Sequence, residues 1–489
     1  MKSLDAFPDA HLRIFERPEP PPDPDSVYLI GICGTGMGSL AGLFQQAGKH
    51  VSGSDAAVYP PMSTRLAAQH IEVYEGFNAE RLPGMADLYV VGNACTPTHV
   101  EASWAREHRV PQVSLPEALS RYFIRDRRSL VVAGTHGKTT TTSLLTHVLQ
   151  SAGLDPGFMV GGVMNNGNAS FSAGTGRHFI VEGDEYDSAY FDKRPKFMHY
   201  RPVSAIVTSL EFDHADIYET MDDYREAFRA LVGLVPGKGL LMLNADDEEV
   251  RALANGVRAR IRFYGLENEH ADITARDIRP GNGGIRFTPV VNGKGLGPMF
   301  LNMSGRHNLM NALSVLGVCL DEGVSARQIG RAFASFEGIR RRQQIRGEER
   351  GVIVVDDFAH HPTAVRATLE ATRERWPDRR LVAVFEPRSN SSRRKVFETG
   401  YAEAFRWADA LFLSTPPFRH NDDPSNFMDV GRVLDDVRCH GTDAFQGLDA
   451  DALLPMLLRY LKPGDVALIM SNGSFGGIHG RLLEALATN

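Results

Sequence analysis

The run GTHGKTTTT, Gly134 to Thr142, holds the residues whose order most directly implies chemistry. It follows LVVA, Leu130 to Ala133, which has the pattern of a buried strand, and it leads into Thr139 to Leu145, which read as the start of a helix. Strand, glycine turn, lysine, threonine and helix together make a phosphate-binding loop. Gly134, Thr135, His136 and Gly137 would turn backbone N–H groups toward an anion, and the helix N-terminus adds partial positive charge. Lys138 would reach the β- and γ-phosphates, the Thr139 hydroxyl would hold Mg²⁺, and Thr140 completes the set. The usual pattern has one more glycine, five residues before the second, and that position here is Val132. The expected ligand is ATP or GTP with Mg²⁺.

Two acidic clusters belong to the same stretch of chain. EGDEYD, Glu182 to Asp187, closes the strand-like HFIVEGDE, and EFDHADIY, Glu211 to Tyr218, follows VSAIVTSL. Open α/β sheets place ligands at the carboxyl ends of strands. Carboxylates and an imidazole, foremost Glu182 and His214, beside a phosphate loop therefore suggest metal ligation next to the nucleotide. Further on, Asn308 and Asn311 lie three apart in a helical pattern and share one face.

The elements that must position these groups fall into glycine-punctuated units. VYLIGICGTGMG is a strand running into a Rossmann-type turn, with Gly34, Thr35, Gly36 and Met37 placed for a pyrophosphate at a helix N-terminus. The next strand, HVSGSD, ends at Asp55, an acid that could bind a ribose or a base. A last unit opens near Arg340 with RRRQQIRG and again alternates strand and helix. Repeated alternation implies doubly wound sheets. The expectation is three consecutive α/β domains: residues 1–126 Rossmann-like, 127–339 built around the phosphate loop, and 340–489 Rossmann-like.

Composition bounds the rest. With 489 residues, 43% hydrophobic and 23% charged, the chain reads as a soluble globular protein of about three domains. No window approaches the ~18 apolar residues of a membrane helix, and the N-terminus has no signal-peptide core, so a cytoplasmic location is expected. Cys33, Cys95, Cys319 and Cys439 show no paired spacing, which argues against a disulfide framework or a zinc site. A net charge of −7 argues against nucleic acid as a partner. The Pro-rich Pro18 to Pro24 reads as an extended lead-in to the first strand.

GTHGKTTTT, EGDEYD, EFDHAD, GRHNLMNA, RRR and VDDFAHHPTAV, in this order, resemble the Mur ligases of bacterial peptidoglycan synthesis. GICGTGMG and DDFAHHPT are similar to the branch that acts on UDP-N-acetylmuramate. The resemblance implies an ATP-dependent amide ligase: the lactyl carboxylate becomes an acyl phosphate, and an amine displaces phosphate. Through FEPRSN and SNGSFGGIHG it implies that the amine is L-alanyl-γ-D-glutamyl-meso-diaminopimelate, used in peptidoglycan recycling, with free L-alanine as the alternative. It implies roles by position. Lys138, His214 and Arg342 would be catalytic, and Thr139, Glu182 and His214 would hold metal. Asn308 and Asn311 would hold adenine, Arg342 would reach the γ-phosphate from the domain junction, and Asp357 would bind the ribose. Gly34, Thr35, Gly36, Met37 and Asp55 would bind the UDP-sugar, and Arg388, Arg393 and Arg394 the peptide's carboxylates. Where several Mur ligases carry a carbamylated lysine, this chain has Arg229, so a second metal would depend on other ligands.

Two other classes compete. A nicotinamide-dependent dehydrogenase would use the first glycine turn but leave the phosphate loop unexplained. A nucleotide-switch regulator would use the loop but leave the first and last units idle.

Overall fold

The first sheet shows how a run such as VYLI becomes a strand buried on both faces. In Ser26–Ile30, Val27 and Leu29 enter one hydrophobic cluster, and Tyr28 and Ile30 enter another on the opposite face. Successive side chains of a strand point to opposite faces, so a continuous apolar run is what a covered parallel sheet requires. The computed structural model describes residues 3–60, 62–212, 217–281, 283–418 and 424–488. Among these, His50–Asp55, Leu88–Val91, Glu72–Glu75 and Gln112–Ser114 join Ser26–Ile30 in a parallel sheet. Its spatial order, by position along the chain, is third, second, first, fourth, fifth. This is the Rossmann arrangement, with its switch point between Ser26–Ile30 and Leu88–Val91.

The described residues of Met1–Phe212, Ile217–Thr274 and Ser314–Ala332 pack as one unit, and those of Ala275–Leu313 and Phe333–Asn489 as a second. The first unit holds the Rossmann sheet and a second sheet around Arg128–Ala133. That strand lies between Ser204–Val207 and His178–Gly183, parallel to both. Leu240–Asn244 and Arg260–Tyr264 extend the sheet on one side, Gly157–Met159 on the other.

In the second unit, Val352–Asp357, Val466–Met470, Leu381–Phe385, Ala410–Ser414 and Asp443–Gly447 run parallel, and Gln344–Glu349 is an antiparallel edge. Val352 and Val354 face one core, Ile353 and Val355 the other. The three α/β layers match the expected fold class. No helix among the described residues is long and apolar enough to cross a membrane.

Candidate active site

Strand Arg128–Ala133 ends at Gly134, whose φ is 130°. A Cβ there would lie 2.1 Å from Thr208 Oγ1 and 2.9 Å from the Ser209 amide nitrogen, so only glycine fits. Gly137, at φ 80°, caps helix Lys138–Ser151. The exit of the neighbouring strand holds the turn. Thr135 N donates to Ser209 O at 2.9 Å, His136 N to Ser209 Oγ at 3.0 Å, and Thr208 Oγ1 to His136 O. Val132, the position of the missing glycine, is fully buried within the strand. The bend therefore starts later than in the usual pattern, at Gly134. Thr140 is buried in the first turn of the helix.

Lys138 folds back over this loop. Its Nζ donates to Gly134 O at 2.6 Å and lies 2.9 Å from both carboxylate oxygens of Glu185. Burial alone would pull its pKa down, but Glu185, Asp184 and Glu182 outweigh burial and hold it above the usual lysine value. Tyr218 donates its hydroxyl to Glu185 O at 2.8 Å, and Tyr224 to Glu185 Oε1 at 3.4 Å. The cation is thus positioned by a buried acid with aromatic support.

The Thr139 hydroxyl donates to Glu182 Oε2 at 3.1 Å, and Glu182 Oε1 accepts the Gly161 amide. A hydroxyl and a carboxylate side by side at the loop are hard oxygen donors of the kind Mg²⁺ takes, so these residues fit the ion. The other expected ligand, His214, lies outside the described residues. His136 Nε2 is 3.2 Å from Glu211 Oε2, which ties the loop to the second acidic cluster. Arg229 is exposed on helix Met221–Gly233, 3.5 Å from Glu226.

The Rossmann-type turn runs from Gly31, at φ 85°, to Gly34, which caps helix Thr35–Gln46. Gly36 and Met37 lie in the first turn of that helix, and Met37 is buried. Asp55, at the end of its strand, accepts the Cys33 amide at 2.8 Å. Its carboxylate braces the glycine turn from the neighbouring strand.

In the second unit, Asn308 and Asn311 are both buried on helix Arg306–Asp321, and Asn311 Nδ2 lies 3.5 Å from Asn308 Oδ1. Beside them, burial and the charge of Arg342 pull the His307 imidazole down to about 4, so it is neutral at pH 7. The Arg342 guanidinium sits 4.8 Å over the Phe358 ring. Asp357 is buried, and its two oxygens accept the amides of Gln343 at 2.8 Å and Ala359 at 2.7 Å. Burial raises its pKa, opposed by Arg342 and by those amides.

The three arginines expected to meet the peptide have different surroundings. Arg388 is exposed and lies against Gly473, where a Cβ would come 2.1 Å from its Nη1. Arg393 is 2% exposed and bonds Ser389 O at 3.2 Å, Pro417 O at 2.8 Å and Asn390 Oδ1 at 3.1 Å. It ties its own loop to the one that follows strand Ala410–Ser414. Arg394 is half-buried, with Nε 3.3 Å from Asn390 O.

Three family descriptions match in succession: the Mur ligase family catalytic domain over residues 26–127, the Mur ligase middle domain over 132–319, and the Mur ligase glutamate ligase domain over 341–473. The chain belongs to the Mur ligase family. It is 39% identical to the UDP-N-acetylmuramate–L-alanyl-gamma-D-glutamyl-meso-2,6-diaminoheptandioate ligase of Escherichia coli (strain K12), over 94% of this chain and 98% of that protein. It is 34% identical to the UDP-N-acetylmuramate–L-alanine ligase of Desulforapulum autotrophicum over 94% of this chain and 98% of that one. The crystal structure of a murein peptide ligase from Psychrobacter arcticus superposes with a TM-score of 0.70 at 34% identity, covering 95% of this chain and 99% of that one.

Some of the groups that the structure places beside the expected site residues of this Mur ligase are not singled out by the sequence. Glu185 stood inside the quoted acidic cluster, but nothing in its spacing said that it would face Lys138. Ser209 and Thr208 come from the exit of another strand, and only parallel pairing of Val207 with Ala133 brings them to the turn. His307 was within GRHNLMNA, and a histidine preceding two amides was the available signal.

Proposed function

We propose that this Mur ligase joins the lactyl carboxylate of UDP-N-acetylmuramate to the amine of L-alanyl-γ-D-glutamyl-meso-diaminopimelate, converting ATP to ADP and phosphate, in the reuse of peptidoglycan peptides. The observation that carries this reading is the 39% identity, over nearly the whole chain, to a ligase named for that pair of substrates. A carboxylate is a poor acyl donor because oxide leaves badly. Attack of its oxygen on the γ-phosphorus releases ADP and gives an acyl phosphate. The amine nitrogen then adds to the acyl carbon, the carbon–oxygen bond to phosphate breaks, and the nitrogen loses a proton. Such transfer depends on positioning and charge neutralisation more than on covalent help from the protein.

The roles proposed are those that the resemblance assigns by position in the sequence. Gly134 to Thr140 cradle the phosphates, with Lys138 as the neutralising cation. Thr139 and Glu182, with His214, hold Mg²⁺, which supplies charge neutralisation to the phosphates. Asn308 and Asn311 take adenine, Arg342 the nucleotide's phosphates, and Asp357 the ribose through its remaining lone pairs. Gly34, Thr35, Gly36, Met37 and Asp55 take the UDP-sugar. Arg388 and Arg394 are the peptide's carboxylate partners, and Arg393 fixes the loop that carries them. A division near residues 127 and 340 and a cytoplasmic location accompany this reading.

The second reading, ligation of free L-alanine, is favoured by the 34% identity to a ligase of that name. Phosphate release from ATP and UDP-N-acetylmuramate, measured with the tripeptide and with L-alanine, separates the two. The tripeptide reading expects a higher kcat/KM for the tripeptide by several powers of ten; an equal or better rate with L-alanine overturns it.

A further inference from the structure

The first unit holds a cavity of about 910 Å³ whose walls carry Arg17, Arg121, Arg125, Arg194, Arg201 and Gln112. That volume suits a small-molecule ligand. The cavity is separate from the phosphate loop. Arg125 and Arg201 lie just before strands Arg128–Ala133 and Ser204–Val207, whereas Gly134 and Thr208 lie just after them. At ~3.3 Å per residue, a strand of this length sets the two ends roughly 15–20 Å apart.

Two of the guanidinium groups are already matched. Arg17 meets Glu117 with two bonds of 2.9 Å, and Arg194 meets Asp192 at 3.0 and 2.8 Å. Glu117, Asp192 and His199 converge closely enough to suggest a metal. Each carboxylate, however, already accepts a two-pronged guanidinium, and no net negative charge is left over for a cation. Arg121 pairs with Glu19, whose side chain is 82% exposed, a pairing that water screens. Among the described residues, Arg125 and Arg201 have no hydrogen-bond or ion-pair partner for their side chains. The unmatched charge on the cavity wall is therefore positive.

Two further features mark the cavity. Gln112 is fully buried, yet neither its Oε1 nor its Nε2 has a hydrogen-bond partner. Buried amides are nearly always satisfied, and leaving one unmet is costly. Arg201 adopts φ 46°, a left-handed conformation that non-glycine residues rarely hold and that tends to occur at ligand sites. The Pro-rich lead-in supplies one wall through Pro18 and Pro20, so this segment has a structural use that the ligase reaction does not account for.

We propose that this cavity is a second ligand site, which takes a small polyanion bearing phosphates or carboxylates. Arg125 and Arg201 clamp its charges, and Gln112 meets a carbonyl or amide group on it. Arginine is suited to this because its fork matches both kinds of oxyanion.

Calorimetric titration of pyrophosphate and, separately, citrate into the full-length protein and into the double variant Arg125→Ala/Arg201→Ala tests the proposal and distinguishes the two sources of charge. Any binding of pyrophosphate at the phosphate loop is common to both proteins, so the difference between them reports this cavity. At least one probe is expected to bind the unmodified protein roughly tenfold or more tightly than the double variant, the loss of two charge-assisted contacts. ATP-dependent phosphate release at saturating substrates is expected to be unchanged in the variant, whose two altered side chains are exposed. Equal binding of both probes to the two proteins overturns the site. Loss of turnover in a folded variant overturns its separateness from the reaction.

Discussion

Lys138 Nζ sits 2.9 Å from each carboxylate oxygen of Glu185, and Glu185 is fully buried. The cation that a phosphate loop offers to its nucleotide is therefore held by a permanent counter-charge inside the protein. Deleting one member strands the other. Lys138→Ala is expected to destabilise the fold by about 3–5 kcal/mol, because it leaves an uncompensated buried carboxylate. Adding Glu185→Gln is expected to restore most of that stability, while turnover stays depressed by roughly a thousandfold for want of the cation. Urea denaturation and phosphate release, measured on both single variants and the double, read the two effects apart. A double variant that turns over like the unmodified protein removes Lys138 from the reaction.

Glu182 touches the Thr139 hydroxyl and the Gly161 amide. If it holds Mg²⁺, Glu182→Gln replaces a charged oxygen donor with a neutral one. The Mg²⁺ concentration for half-maximal turnover is expected to rise by roughly tenfold or more, and His214→Ala is expected to act in the same direction. An unaltered Mg²⁺ dependence in both variants dismisses the metal assignment.

Arg388 is exposed, whereas Arg393 is buried in its own loop. Arg388→Ala is expected to lower kcat/KM for the tripeptide by roughly 10- to 100-fold, the equivalent of one charge-assisted contact of about 1.5–3 kcal/mol. The slower reaction with a short amine lacking distal carboxylates is expected to change little. Equal losses for both amines indicate that Arg388 serves the nucleotide or the fold.

What the sequence revealed, and what it hid, follows from the range over which each interaction acts. Gly134 and Gly137 punctuate a strand–turn–helix within one short segment, and their left-handed backbone angles are what that local pattern demands. The spacing of Asn308 and Asn311 on one helix face is equally local, and their amides do meet. Alternation of strand and helix carried the α/β layers for the same reason. Glu185 stood in plain view among other acids, but which acid faces Lys138 depends on how two neighbouring strands end. Arg388, Arg393 and Arg394 are alike in sequence, and only the fold of their loop decides that one is enclosed and another exposed. Glu322 shows the limit most clearly. Its partners Arg128 and His178 lie 194 and 144 residues away along the chain, and no short motif records the pairing.

That buried carboxylate yields a prediction about acid stability. The Glu322 side chain is 1% exposed and accepts from Arg128 at 2.6 Å and His178 at 3.0 Å. Burial pushes its pKa upward, but His178 and Arg128 prevail and hold it near 2, against 4.5 in the unfolded chain. A depressed folded-state value stabilises above pH 4.5, and that contribution is lost as pH falls toward 2. The full effect is on the order of 3 kcal/mol. Urea midpoints are expected to fall between pH 5 and pH 3 more steeply in the unmodified protein than in Glu322→Gln. Parallel pH profiles for the two proteins count against this ion pair as a source of acid sensitivity.

The Pro-rich lead-in has a consequence for solubility. Gln112–Ser114 is one of the two edge strands of the first sheet, and Arg17 bonds Gln112 O at 3.3 Å. The lead-in is pinned in turn where Arg121 donates to Pro20 O at 2.9 Å and Tyr122 to Pro21 O at 2.8 Å. An uncovered strand edge is a template on which a second chain can pair. A covering segment rich in ordinary residues would only move that template one strand outward. Pro18, Pro20, Pro21 and Pro22 have no N–H to offer, so the lead-in shields the edge without becoming a new one. A chain shortened to begin at Ser26 is expected to self-associate as its concentration rises, with light scattering as the readout, while the full-length chain stays dispersed.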